Sequence, residues 1–255
     1  MKIVSYNING IRSVINKGFH MWIKDMNPDI ICLQEIKAYP YQINCNIFRK
    51  LGFYCYWHSS IKKGYSGVAI LSKKKPVHIE YGIGSNIIDK EGRILRIDLN
   101  EKDISVMSLY LPSGNNMEKR LDYKFFFMKK FFSYIKKIKN YRENLIICGD
   151  YNICHTEIDI HNPIINKNVS GFLLEERNWI TNLIDLGFID SFRNYTKTKN
   201  HYSWWNYRFN CKKKNKGWRI DYIMVSCNLK KHMKDAYLLP KIKYSDHCPM
   251  ILELK

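Results

Sequence analysis

The sequence predicts an α/β fold in which two β-sheets pack together and helices flank them, in one domain spanning residues 1–255. Three observations carry this. A strand–helix–strand unit occupies roughly the first thirty residues, a βαβ length. Short strand-like runs then fall in two groups, before and after a long amphipathic helix. No linker, repeat or low-complexity stretch divides them.

Taken in order, residues 2–6 form a first strand and Asn7-Ile8-Asn9-Gly10-Ile11-Arg12 a polar turn after it. Phe19, Trp22, Ile23 and Met26 recur at helical spacing, and Asn27-Pro28 stops that helix. Residues 29–33 make a second buried strand that ends in Gln34-Glu35; a parallel or a mixed sheet suits the unit. Strands at 54–58, 67–72, 77–81, 93–99 and 104–110 follow, separated by Gly, Lys and Pro turns as in an antiparallel meander. Leu111-Pro112-Ser113-Gly114-Asn115-Asn116 breaks that pattern. A helix over 118–140 presents Leu121, Phe125, Met128, Phe132 and Ile135 as its core face. Lys136, Lys137 and Lys139 complement the dipole at its end and read as a solvated face.

The stretch 144–152 organises the rest. An apolar run, Leu145-Ile146-Ile147-Cys148, enters Gly149, as a buried strand does at a turn where glycine takes backbone angles other residues avoid. Asp150 and Asn152 then leave the strand end on one side, either as a cation- or water-binding pair or as a plain Asx turn. Beyond them lie a polar loop over 155–171 and a helix over 174–186 with Gly187 as its C-cap. Tyr202-Ser203-Trp204-Trp205 reads as a short strand and Lys212–Gly217 as a basic loop. Strands at 219–225, 235–239 and 250–254 complete the chain, the last after Ser245-Asp246-His247-Cys248-Pro249.

The net charge of +19, from 42 Lys+Arg against 23 Asp+Glu, favours a polyanionic partner, nucleic acid first and an anionic membrane second. Abundant Lys, Ile and Asn also fit an A+T-rich coding bias. The eight cysteines are scattered without a C-x-x-C pair, which argues against zinc or a disulfide framework and for a reducing compartment. No secretion signal or 18-residue apolar run occurs, so a soluble intracellular protein is expected.

Asn7, Glu35, Tyr110, Asp150, Asn152, Asp221, Asp246 and His247 all fall at strand ends or adjacent turns, where open sheets gather ligands. They are mostly oxygen donors without a thiolate, a set that suits Mg²⁺ or Mn²⁺. Beside one histidine and many lysines, they suggest metal-assisted cleavage of a phosphate ester. Each also has a dull explanation: Glu35 exposed, Asp221 capping a turn, His247 structural.

The chain resembles the exonuclease III family of abasic-site endonucleases, within the endonuclease/exonuclease/phosphatase superfamily. The matching stretches are Ser5-Tyr6-Asn7-Ile8-Asn9-Gly10-Ile11-Arg12, Leu33-Gln34-Glu35-Ile36-Lys37, Gly64-Tyr65-Ser66-Gly67-Val68-Ala69-Ile70-Leu71 and Tyr110-Leu111-Pro112. They continue with Gly149-Asp150-Tyr151-Asn152, Gly171-Phe172 with Glu175-Glu176-Arg177, Trp218-Arg219-Ile220-Asp221-Tyr222 and Ser245-Asp246-His247-Cys248-Pro249, in family order.

The resemblance implies a four-layered α/β sandwich with two packed mixed β-sheets flanked by helices and the site at one edge. It implies Glu35 as main Mg²⁺ ligand, with Asn7 nearby, Asn9 or Asp246 contributing, and Asp150 and Asn152 in the same ligand set. Asp150, helped by Asn152, would activate the water; His247, held by Asp221, would contact the phosphate. Tyr110 would be a phosphate ligand or the alternative proton acceptor. Trp204, Trp218 and Ile220 would wall a pocket for an extruded sugar lacking its base, and Asn166, Arg12 and Lys37 are further substrate contacts. Trp205 reads as a core aromatic instead. Asn9 is an amide where some members carry a carboxylate, and Ser113 stands where larger amides are common. The Lys212–Lys216 loop reads as a DNA-backbone contact or a solvated loop.

The implied activity is Mg²⁺-dependent hydrolysis 5′ to abasic sites in double-stranded DNA, with 3′→5′ exonuclease and 3′-phosphatase or phosphodiesterase side activities. Mn²⁺ is the alternative ion. A monomer is expected, cytoplasmic and brought to a bacterial nucleoid by DNA. The rivals are a superfamily phosphoesterase acting on lipid headgroups and a non-catalytic DNA-binding relative.

Overall fold

The alternation at the N-terminus resolves into β1 (Lys2–Asn7), helices α1 (Ile11–Asn16) and α2 (Phe19–Met26), and β2 (Ile30–Gln34). The two strands pair in parallel, Ile3 opposite Ile30 and Asn7 opposite Gln34, as a βαβ unit. The expected polar turn ends earlier than foreseen, because Ile11 and Val14 bury one face of α1 directly after Gly10. The computed structural model describes residues 1–100, 103–114 and 118–255, so Asn115 and Asn116 of the expected break lie outside the described residues.

Next come α3 (Asn46–Arg49), β3 (Tyr54–His58), β4 (Val68–Ser72), β5 (His78–Tyr81), α4 (Asn86–Asp89), β6 (Ile94–Asp98) and β7 (Ile104–Tyr110). The chain continues through α5 (Glu118–Lys139), β8 (Asn144–Asp150), α6 (Leu174–Asp185), β9 (Phe188–Asp190), α7 (Ser191–Tyr195), β10 (Asp221–Ser226), β11 (Met233–Leu238) and β12 (Met250–Leu254). The middle strands do not form one meander. β3 and β4 are a hairpin joined to β2, whereas β5, β6 and β7 meander in a second sheet. The crossing runs through Lys73-Lys74-Lys75-Pro76, where proline lacks the N–H a central strand needs.

The first sheet has the order β11-β12-β1-β2-β4-β3 and the second β5-β6-β7-β8-β10-β9. Each has one central parallel pair, β1/β2 and β7/β8, with antiparallel neighbours on both sides. Alternate side chains of every central strand face opposite ways. Ile3, Cys32 and Ile70 therefore meet Ile97, Val106, Ile146 and Ile223 between the sheets. Val4, Tyr6, Ile31 and Leu33 point outward beneath Ile11, Phe19 and Ile23. Met107, Leu109, Ile147 and Met224 point outward beneath α5 and α6. Helix, sheet, sheet and helix form the four layers of the expected sandwich.

Three local expectations need correction. The inward face of α5 carries Lys124, Phe127, Met128, Phe131, Ile135 and Ile138, while Leu121, Phe125 and Phe132 sit half-buried at its rim. The run Phe125-Phe126-Phe127-Met128 offers two apolar stripes, and Lys124, paired with Glu176, lies on the inward one. Gly149 lies within β8 and is absent from the left-handed residues. Its lack of a side chain is steric, since a Cβ there would stand 2.0 Å from the Leu109 carbonyl oxygen. Tyr202–Trp205 forms no strand, only isolated bridges from Trp204 to Trp218 and to His247. Gly187 does close α6, at φ 93° with its N–H on the Ile184 carbonyl. Among the described residues no helix is long and apolar enough to cross a membrane.

Candidate active site

Both parallel pairs deliver their C-terminal ends to one edge. β1 ends on Asn7, Glu35 follows β2, and the β7/β8 register sets Tyr110 opposite Asp150. The antiparallel neighbours begin there: Asp221 opens β10 opposite Asp150, and Asp246-His247 precede β12. The turns are sharp, with Asn9, Glu35, Lys37 and Asn152 all at φ near +50°. That is a costly conformation for residues with side chains, and it clusters at functional sites.

Asn7 joins the two halves. Its Nδ2 donates to Glu35 Oε1 at 2.8 Å and to Asp150 Oδ2 at 2.9 Å, while its Oδ1 accepts the Asn9 N–H. It thus turns amide hydrogens, not oxygen, towards the carboxylates. Lys37 Nζ contacts Glu35 Oε2 at 2.8 Å and Asn9 Oδ1 at 2.5 Å. Burial works to raise the Glu35 carboxyl, but Lys37 and Asn7 outweigh it and hold it low.

Asp150 Oδ1 accepts the N–H of Asn152, an Asx bond that coexists with the cluster, and Asn152 Nδ2 donates to the Leu111 carbonyl. Burial pushes the Asp150 carboxyl up to about 7, with Asp221 and Glu35 adding to the shift and His247 opposing it. His247 Nδ1 lies 2.9 Å from Asp221 Oδ2, and its Nε2 lies 3.8 Å from Asp150 Oδ2. Burial alone would lower the imidazole, yet Asp221, Asp150 and Asp246 raise it to about 10, so it is held as imidazolium.

Asp246 spends its oxygens on Asn9, Ser245 and the Trp204 indole. The Tyr110 phenol is raised by burial and by Glu35, with Arg93 pulling the other way. Glu35, Asp150 and His247 bring ligand-type atoms within 4.8 Å of one another. With the histidine charged, the usable donors are the two carboxylates, a set that fits a hard divalent cation.

A cavity of about 440 Å³ opens beside this cluster. Glu35, Tyr110, Asp150, Asn152 and His247 line it together with Gly171, Trp204, Trp218 and Ile220, and the Trp204 and His247 rings lie 6.5 Å apart. The two indoles stand edge to face, centroids 6.2 Å apart. Trp205 instead packs with Tyr202 and Cys248 in a small core cluster. Arg12 is exposed and, with Lys37 and Gly64, borders an adjoining groove. The Asn166 amide turns back onto the His161 and Asn162 carbonyls of its own loop. Lys212 lies over the Trp205 ring, whereas Lys213, Lys214 and Lys216 are exposed.

Sequence reasoning missed Arg93. Fully buried, it stacks 4.5 Å from the Tyr110 ring and donates to the Tyr65 hydroxyl and the Tyr110 carbonyl. An arginine opening the expected 93–99 strand was the available signal.

Residues 4–247 match the profile of the Endonuclease/Exonuclease/phosphatase family. The chain is 39% identical to an exodeoxyribonuclease of Bacillus subtilis over 254 residues, 99% of this chain and 98% of that protein. It superposes on an AP endonuclease from Archaeoglobus fulgidus with TM-score 0.91 at 29% identity, covering 100% of this chain and 99% of the other. A Neisseria 3′ phosphatase, NExo, bound to a product DNA hairpin matches with TM-score 0.92 at 26% identity, covering 100% and 99%.

Proposed function

Because the chain belongs to the endonuclease/exonuclease/phosphatase family, we propose that it is a DNA-repair nuclease hydrolysing the phosphodiester 5′ to abasic sites in duplex DNA. We assign it 3′→5′ exonuclease and 3′-phosphatase activities on the same site. One observation carries the reading: the Asp221–His247–Asp150 chain meets a cavity that Asp150 and His247 line together with Trp204, Trp218 and Ile220.

Glu35 and Asp150 would hold a divalent cation, Mg²⁺ or Mn²⁺. When bound, the ion supplies Lewis-acid neutralisation of phosphate charge. Asp150 accepts the proton of the attacking water, and the backbone N–H of Asn152 fixes that carboxylate's orientation. His247 donates from Nε2 to a phosphoryl oxygen and offsets the charge that builds as phosphorus becomes five-coordinate. Asp221 keeps its ring charged and oriented. Tyr110, its phenol raised by burial and by Glu35, donates to the phosphate or the departing 3′ oxygen. The bond from phosphorus to that oxygen breaks, leaving a 3′-hydroxyl and a 5′-phosphate. The indoles and Ile220 admit a bare deoxyribose and crowd a nucleotide that keeps its base. Lys37, Arg12 and the exposed lysines of the 212–216 loop face the DNA backbone.

The test is a duplex carrying one tetrahydrofuran abasic analogue, incubated with Mg²⁺ or EDTA. Cation-dependent cleavage 5′ to the lesion, abolished by Asp150→Asn with binding retained, is the expected result. Tight binding without cleavage by the unaltered protein, or neither, would overturn the assignment.

A further inference from the structure

Lys124 on α5 and Glu176 on α6 do not line the cavity, yet between them they bond Ser170, Gly171 and Asn152, which do. Both side chains are fully buried and meet at 2.5 Å. Desolvating two charges is costly, and such a pair persists only with further hydrogen bonds. Glu176 Oε2 accepts the backbone N–H of Gly171 at 2.6 Å and of Leu173 at 3.0 Å, and Oε1 accepts the Ser170 hydroxyl at 3.0 Å. Lys124 Nζ donates to the Asn152 carbonyl at 2.8 Å.

Ser170, Gly171 and Asn152 all line the cavity, Asn152 beside Asp150. Gly171 is left-handed, φ 101°, and a Cβ there would meet the Trp218 ring at 2.7 Å. Its backbone therefore lies directly against the indole. One carboxylate and one ammonium hold the loop wall, the tryptophan behind it and the turn after β8 as a unit.

We infer that Lys124 and Glu176 are positioning residues that set the cavity's clearance along the Gly171–Trp218 wall. They thereby set the preference for a base-free sugar over an intact nucleotide. The inference rests on the reading of that cavity as the abasic-sugar pocket. A steric filter discriminates by displacements smaller than a methyl group, and a loop wall has no such precision unless it is pinned. Because the ammonium also holds the Asn152 carbonyl, loosening the pair shifts selectivity as well as rate.

The experiment compares kcat/KM on the tetrahydrofuran duplex with kcat/KM for removing a normal nucleotide from a recessed 3′ end. It uses the unaltered protein, Glu176→Gln, Lys124→Met and the double variant. Asp98→Asn, which damages a buried pair on β6 (Arg96 Nε to Asp98 Oδ1, 3.0 Å), is the control for stability loss alone. The expected result is about a tenfold fall in the abasic-to-intact ratio for Glu176→Gln, an unchanged ratio for the control, and loss of amide-exchange protection at Gly171 and Leu173. Ser170→Ala removes one anchor and carries the same test should Glu176→Gln not fold. A ratio within twofold of the unaltered protein in every folded variant overturns the inference. No preference in the unaltered protein overturns the pocket reading, and this inference with it.

Discussion

His247 Nδ1 and Asp221 Oδ2 lie 2.9 Å apart with both side chains buried, so the carboxylate fixes the ring and its charge together. Asp221→Asn keeps the shape and removes the charge. Turnover on an abasic duplex should fall about 10²–10⁴-fold in single-turnover assays, while fluorescence anisotropy shows DNA binding unchanged.

Lys37 Nζ stands 2.8 Å from Oε2 of Glu35, a carboxylate that would hold the cation. Lys37→Met removes a competing positive charge worth on the order of 1 kcal/mol, roughly a fivefold gain in apparent cation affinity. Thermal melts over a Mg²⁺ titration should show a larger stabilisation in the variant than in the unaltered protein, with EDTA reversing both.

Asp159 is buried between Arg219 and Arg193, with Oδ1 2.6 Å from each. Burial would raise its carboxyl, but the two guanidinium groups hold it well below the ordinary carboxylate range. A depressed folded pKa gives stability that is full above the unfolded value of about 4 and lost as pH falls below it. Asp159→Asn should cost about 3–5 kcal/mol at pH 7. In urea titrations the gap from the unaltered protein should narrow progressively below about pH 4.

A Cβ on Gly149 would collide with the Leu109 carbonyl of the neighbouring parallel strand. Gly149→Ala should lower stability by about 1–3 kcal/mol, read as a shifted urea midpoint, and should lower activity through displaced Asp150.

The strand ends were legible because alternation and apolar runs fix β1, β2, β7 and β8, and parallel pairing brings their C-terminal ends together. The sandwich followed from the same pattern. Other features were hidden for physical reasons. Gly149 announces a special backbone but not whether conformation or close approach demands it. The inward stripe of α5 depended on Lys124, whose partner lies 52 residues away. Nothing local signals such a pairing. α1, β9 and α7 are short, and their stability comes from packing rather than from a repeating period.

The second sheet is built from one continuous stretch, β5 to β10, whereas the first needs β11 and β12 to close beside β1. Lys2 pairs with Glu253, so the closing step joins segments at almost the greatest separation the chain allows. Contacts of that range form slowly. His247 is positioned just before β12, so a chain still emerging from the ribosome can assemble Asp150 and Asp221 on the second sheet yet has no imidazolium between them. The pairing of His247 with Asp221 therefore forms only once the segment before β12 has docked.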